Sequence, residues 1–404
     1  MGPPLLGRVP AVEIPFVPSA GSSVGVEWEL QLVSPETRQL TSGAREVLEE
    51  LAPGGEHPKA KHELLQSTVE VITGVCATVG EATADLAGTI EELRPLVQAR
   101  GLALMCAGTH PVSDWATQQI SPNPRYAKLI EDMQWLARRL QIFGVHVHVG
   151  VRSADKAVAI VNALTAYIPH LLAISASSPY WKGSDTGLAS ARSKVFEGLP
   201  TAGLPFTLSG WAQFESYMET LIKTGTIDSI KEVWWDIRPH PTFGTVELRI
   251  CDGLPTLREV GMVAALSHCL VDSFDRELDK GYTLPTPKGW LVRENKWRAA
   301  RYGLDAEIIV GEQNRVVPVR EALAELVHEL GPAAERLGCT QELSVVGEVI
   351  DTGASYHRQR SVAAASGGDL TAVVDSLLAE FAAGRPVPLP VLPTPGVDGA
   401  PGAR

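Results

Sequence analysis

Cysteine is scarce in this chain. Five are spread over 404 residues, at Cys76, Cys106, Cys251, Cys269 and Cys339, an odd number with no CxxC pair. That excludes a disulfide framework and gives no thiolate zinc site, so reduced thiols packed as small apolar side chains are expected. Positive charge is also short: 35 Lys and Arg against 47 Asp and Glu leave a formal charge of −12. No global basic surface for nucleic acid or an anionic membrane follows, and an anionic substrate would need local arginines or metal ions. Long uninterrupted apolar runs are missing. The most apolar stretch, 157–176, contains Asn162, Pro169 and His170 and reads as a buried helix rather than a membrane span. The N-terminal stretch is broken by prolines, and Leu6 stands where a myristoylation motif needs Ser or Thr. A cytoplasmic protein with no membrane and no nucleic-acid partner is the expectation. Neither GxGxxG nor GxxxxGK[ST] occurs, which weakens Rossmann and P-loop readings.

What is present is ordinary globular material, 45% hydrophobic and 20% charged. A chain of this length buries about three quarters of its unfolded surface and needs no staples. Residues 1–22 and 384–404 are rich in Pro, Gly and small residues and are expected to be disordered tails. Between them one catalytic body, 23–383, is expected. Strand-like alternation marks 24–33, 69–73, 102–107, 145–151, 234–238 and 245–252. Helical periodicity marks 44–51, 79–100, 124–140, 153–174, 211–224, 257–278, 319–330 and 370–383. The turn residues 239–244 between two alternating runs predict an antiparallel hairpin. The expected class is α+β: a mainly antiparallel sheet backed by helices.

Four segments carry ionisable groups at alternate positions. In Val24–Val33, Glu27 and Glu29 share one strand face while Val26, Trp28, Leu30 and Leu32 share the other. His146 and His148 alternate with valines, and Glu247 and Arg249 alternate with Val246, Leu248 and Ile250. Asp236 and Arg238 repeat the spacing on the hairpin partner, and Glu70 adds a further acid, with Glu63 just before its strand and of open facing. One such strand also describes an ordinary half-exposed surface. Four together point to a single charged sheet face. Carboxylates crowded there repel and raise one another's pKa, and divalent cations relieve this. An oxygen-rich set with one or two His suits Mg²⁺ or Mn²⁺, and neighbouring guanidinium groups suit a polyphosphate.

Three further segments have open roles. Asp185–Ser193 is a small-residue loop whose Arg192 could clamp a substrate carboxylate or face solvent. Asn295, Arg298 and Arg301 fall along one helical side, as a solvated face or a nucleotide contact. The loop 115–126 serves as a connector or a lid. The pair Trp234 and Trp235 reads as packing rather than a base-stacking surface.

The segments GVEWEL, HELLQSTVEVITG, CAGTHP, GVHVHVG, SASSPYW, WDIRPHPTFGTVELRICD and ENKWRAARYGLDA, in this order, resemble the carboxylate–amine ligases of the glutamate–cysteine ligase type 2 family. The resemblance implies a glutamine synthetase-like fold whose antiparallel sheet floors a funnel for ATP and Mg²⁺. It implies metal ligation by Glu27, Glu29, Glu63, Glu70, Glu247 and His146 or His148. It implies a phosphate contact for Arg249, with Arg192 also at the chemistry, and nucleotide contacts for Arg238, Asn295, Arg298 and Arg301. The implied reaction joins glutamate, through its γ-carboxyl, to cysteine with ATP, by way of an acyl phosphate. The implied partners are small amino acids and ATP, with a homo-oligomer as a further expectation. A metal-dependent hydrolase on the same Glu/His face, or a nucleotide-binding regulatory protein without turnover, are the rival classes.

Overall fold

The computed structural model describes residues 14–311 and 313–387. The alternating runs become strands β1 (Val24–Val33), β2 (Ala60–His62), β3 (Thr68–Ile72), β4 (Ala103–Met105) and β5 (Val145–Gly150). A two-residue hairpin, β6 (Tyr180–Trp181) and β7 (Ser184–Asp185), follows, and then β8 (Ile237–His240) and β9 (Thr245–Leu248). A second small hairpin pairs β10 (Glu307–Val310) with β11 (Arg315–Pro318). The main sheet has the order β2-β3-β1-β5-β9-β8, with β4 paired to the end of β1, and every pairing is antiparallel. The expected α+β class is therefore found.

Strand alternation sorts the two faces. Val26, Trp28, Leu30, Val69, Val71, Val145, Val147, Val246 and Leu248 are at most 1% exposed and join one core cluster. Helices Val79–Gln98 and Leu257–Asp279 pack over this apolar side. Each helix starts on a side-chain cap: Thr78 accepts from the Glu81 amide, and Thr256 from the Glu259 amide. Trp28 is fixed at its polar end, its Nε1–H donating to the Leu254 carbonyl at 3.1 Å. The apolar stretch 157–176 forms helices Ala154–Leu164 and Ile168–Ser175 around a 3₁₀ turn. By length and composition it passes for a membrane span, but 72% of it is buried inside the protein.

Several boundaries differ from expectation for physical reasons. β8 begins at Ile237 rather than Trp234, because Trp234 and Trp235 turn into two separate small cores. Pro239 lies within β8, which is tolerated because β8 is the edge strand. The helix expected over 124–140 breaks at Gln134, whose φ is 46°, into Pro124–Met133 and Trp135–Arg138. Helices Thr340–Thr352 and Ser355–Ala365 were not expected. The second buries Ser355 and Gln359 and so lacks an apolar stripe to read.

Residues 14–22, expected in a loose tail, run along the sheet instead. Ile14 is buried beside Trp235 in a small core, Val17 donates its amide to the Pro241 carbonyl at 2.9 Å, and Ser19 donates to Val151 at 3.0 Å. Two apolar anchors, Ile14 and Phe16 on Trp211, suffice to offset the ordering cost of this short segment. The remainder of that tail, and residues 388–404 of the other, lie outside the described residues.

Leu248 is fully buried on the apolar side, directly opposite Val147 and Ile237. Leu248→Ala should lower stability by roughly 2–5 kcal/mol in chemical denaturation. Specific activity of the fraction that stays folded should be unchanged.

Candidate active site

The cross-strand registers set Glu70 opposite Glu29, Glu27 opposite His146, His148 opposite Glu247, and Glu247 opposite Arg238. One ionisable row thus crosses β3, β1, β5, β9 and β8 on the face away from the helices. It floors an open cavity of about 790 Å³. Glu63 enters from the segment before β3, and Arg249 from the residue after β9. The sequence-level candidates Glu27, Glu29, Glu63, Glu70, His146, His148, Glu247, Arg249, Arg238 and Arg192 all line this cavity.

Three sets of ligand atoms lie within 4.8 Å of one another: Glu27, Glu70 and His146; Glu27, His148 and Glu247; and Glu29, Glu63 and Glu70. Glu27 belongs to two sets and stands between the imidazoles, its oxygens 3.0 Å from His146 Nδ1 and 3.2 Å from His148 Nε2. His148 Nδ1 meets Thr245 Oγ1 at 3.0 Å, which fixes the ring. Glu247 is gripped by both arginines, with Arg238 Nε at 2.7 Å and the Arg249 guanidinium in contact.

Electrostatics split these acids in two. Burial raises the Glu27 pKa, but the two imidazoles outweigh it and hold the carboxylate well below its usual range. Glu247 is likewise lowered against burial, by Arg238, Arg249 and His148. At the other end guanidinium groups act too, Arg192 and Arg249 on Glu29 and Arg125 and Arg249 on Glu63, but they do not outweigh burial. Burial and then Glu63 push Glu29 from 4.5 to about 8. Burial and the carboxylates of Glu27, Glu63 and Glu29 push Glu70 up as well, and burial and Glu27 raise Glu63. Burial, with Arg249, holds His146 down at about 4, so it stands neutral. A donor set of carboxylate oxygens and neutral imidazole, with unrelieved repulsion, fits one or more hard divalent cations such as Mg²⁺ or Mn²⁺.

Arg192 is at the cavity, but its terminal nitrogens donate to the carbonyls of Arg249 and Ile250 at 3.2–3.4 Å. The expected clamp on a substrate carboxylate is thus a brace under the strand end that carries Arg249. Asp252 fixes its base: it accepts from the Ser178 and Ser190 hydroxyls, and Ser178 Oγ accepts the Arg192 amide. Asn295, Arg298 and Arg301 are not brought to the cavity. Asn295 exchanges two hydrogen bonds with the Ile309 backbone, Arg298 pairs with Glu294, and Arg301 donates to the Gly187 carbonyl. Their shared helical side holds β10 and the 185–193 segment, because helix Gly289–Tyr302 packs away from the floor, chiefly on Ile168–Ser175.

Other cavity residues were not singled out. Helix Pro124–Met133 forms a wall with Arg125, Tyr126, Lys128 and Asp132, so of the 115–126 segment only its end, 124–126, reaches the cavity. Lys128 reaches across to Asp228 on the opposite wall at 3.5 Å. The Asn123-Pro124 start, a cap residue followed by proline at the first helical position, was the available signal. His240 and Phe243 line the cavity from the β8–β9 turn. Trp234 also lines it, while Trp235 is core as expected.

The family described as "Glutamate-cysteine ligase family 2(GCS2)" matches residues 23–376. A Frankia alni protein named "Putative glutamate--cysteine ligase 2-1" is 63% identical over 379 residues, covering 93% of this chain and 99% of that protein. A Thermobifida fusca protein named "Putative glutamate--cysteine ligase 2" is 57% identical, covering 92% and 94%. Among solved structures, a glutamate–cysteine ligase from Francisella tularensis in complex with AMP aligns with a TM-score of 0.68 at 13% identity, over 93% of this chain and 91% of that one. A bifunctional glutathione synthetase from Pasteurella multocida gives 0.62 at 15%, over 90% and 52%. At those identities the structural likeness speaks for the fold alone.

The acid cluster predicts a pH signature in metal-free protein. Glu29, Glu63 and Glu70 have folded pKa values above their unfolded ones, so the folded state holds protons that the unfolded state has lost. Stability therefore falls as pH rises from about 4.5 towards 8. Thermal denaturation in chelator should show this decline, and Glu29→Gln should flatten part of it. Mg²⁺ should raise the melting temperature most at the alkaline end; no response to Mg²⁺ or Mn²⁺ at any pH would count against a metal site.

Proposed function

The chain belongs to glutamate–cysteine ligase family 2, and from that membership we propose that it is an ATP-dependent carboxylate–amine ligase acting at the charged sheet face. The observation that carries the reading is the juxtaposition, on one cavity floor, of two carboxylate–imidazole sets that share Glu27, one all-carboxylate set, and the Arg238–Glu247–Arg249 triad. Free carboxylate is a poor electrophile. Attack of a substrate carboxylate oxygen on the ATP γ-phosphorus forms an acyl phosphate and releases ADP. The amine then attacks the acyl carbon, and phosphate leaves.

The chain's own groups divide this work. Glu27, Glu29, Glu63, Glu70, His146, His148 and Glu247 would hold Mg²⁺ or Mn²⁺, which would supply charge neutralisation for phosphates and for the incoming carboxylate. Arg249, already desolvated, presents its planar fork to phosphate oxygens, while Arg238, whose Nε and Nη2 face Glu247 and whose Nη1 donates to the Val233 carbonyl, fixes Glu247 beside it. Arg192 keeps the Arg249 backbone in place. The helix Pro124–Met133 walls one side of the cavity. No side-chain nucleophile is needed, and the buried cysteines take no part. Glutamate, through its γ-carboxyl, and cysteine are the proposed substrates; the family and the names of the relatives support them.

The decisive assay supplies ATP, Mg²⁺ and glutamate with a panel of amines, reading ADP release and product mass. Stoichiometric ADP and a γ-glutamyl amide are expected. Turnover without ATP would replace the ligase reading with a hydrolase, and ATP binding without phosphate release with any amine would replace it with a regulatory protein.

Glu27→Gln and Glu247→Gln should separate chemistry from folding. Turnover should fall by orders of magnitude, because the cation sets lose a charged ligand. Both variants should remain folded in chemical denaturation. Arg249→Lys should also fail in turnover, since an ammonium cannot reproduce the fork. Near-normal turnover in the folded Gln variants would remove the mechanism proposed for this floor.

A further inference from the structure

We propose that Phe243, supported by His240, is the stacking platform for the purine base of the nucleotide. The inference rests on the ligase reading and deepens it, since Asn295, Arg298 and Arg301 lie away from the cavity and leave the base without a partner.

Phe243 sits on the β8–β9 turn at the cavity wall and is 58% exposed. A lone exposed aromatic residue is ordinary. This one is built differently. Its ring lies flat on the His240 imidazole, with centroids 4.2 Å apart and an interplanar angle of 10°. It also meets His148 edge-on, at 5.7 Å and 68°, and what remains exposed of the ring is the surface offered to a flat partner. His240 in turn meets His148 edge-on at 5.5 Å, and His148 belongs to the set with Glu27 and Glu247. The platform is therefore tied to the end of the floor where Arg238 and Arg249 stand. That is the end suited to phosphates, and a nucleotide carries its base and its phosphates at opposite ends of one ribose.

The turn is held before any ligand arrives. The Phe243 amide donates to His240 Nδ1 at 3.3 Å. Gly244 adopts φ 63°, and a Cβ there would meet the Val17 carbonyl oxygen at 1.8 Å. The N-terminal strap closes over the same turn: Val17 donates to Pro241 at 2.9 Å, and Ser19 Oγ donates to the Gly244 carbonyl at 3.0 Å. A ring fixed in advance loses little entropy on stacking, which favours a flat, planar ligand over a flexible one. The opposite end of the floor, by Glu63, Arg125 and Tyr126, is left for the amino-acid substrates.

The test compares binding of ATP with binding of inorganic tripolyphosphate, which lacks the base, in Mg²⁺ by calorimetry on the full chain. Phe243→Ala should weaken ATP roughly 5- to 150-fold, the worth of one stacked base, and leave tripolyphosphate unchanged. Phe243→Trp should keep or tighten ATP. Melting temperatures of both variants should match the wild type, as expected for an exposed turn side chain. Unchanged ATP affinity in Phe243→Ala, or equal losses for ATP and tripolyphosphate, would overturn the platform while leaving the ligase reading intact. Failure of the wild-type protein to bind ATP at all would overturn both.

Discussion

Glu29, Glu63 and Glu70 bring three carboxylate oxygens within 4.8 Å of one another, and Glu63 and Glu70 have no ion-pair partner among the described residues. Burial removes the water that would otherwise screen them, so their repulsion appears as raised pKa values rather than as separation. Such a cluster survives only on a frame that the repulsion cannot spread. The frame is the sheet: Glu29 and Glu70 are locked in register by the β1–β3 ladder, with Val69 and Val71 pinned in the core beneath. Two states then satisfy the cluster, protonation or cation binding, and only the second leaves charged oxygens for chemistry at neutral pH.

The other end of the floor is arranged in the opposite sense. Glu247 is 1% exposed and would be costly alone, yet Arg238 and Arg249 satisfy it from both sides. The support continues outward. Arg192 braces the Arg249 carbonyl, Asp252 organises the serines around Arg192, and the buried Lys296 ties Asp236 and Glu197 together nearby. These groups touch no substrate in the proposed reaction. They keep two guanidinium groups at fixed positions, which is what phosphate stabilisation demands.

Within one chain, carboxylates with raised pKa values and one carboxylate already neutralised by arginine thus stand up to three strands apart, with Glu27 and two imidazoles between. That gradient gives the cavity a direction. In the proposed reaction the amino-acid substrates take the Glu63 side and the nucleotide takes the side of the β8–β9 turn.

Sequence by itself determined which face of each strand is charged, because alternation is a local property of the backbone. Glu27, Glu29, His146, His148, Glu247, Arg249 and Arg238 could be grouped without coordinates for that reason. The sequence resemblance also identified the family, and the match over 23–376 agrees. Tertiary structure decided what spacing could not. Asn295, Arg298 and Arg301 share a helical side as the periodicity says, but only packing shows that this side holds β10 and a loop rather than a ligand. Arg192 looked free in a polar loop and is spent on two carbonyls, because the contact partners lie 57 and 58 residues away. The strap at 14–22 reads as loose because its composition is small and proline-rich, and the helix Ser355–Ala365 goes unread because it buries polar residues and has no apolar stripe. Both are ordered by surfaces built elsewhere in the chain, the turn of β8–β9 for one and Ala176 with Asp305 for the other. Local pattern fixes what a segment offers; long-range packing fixes which partner takes it.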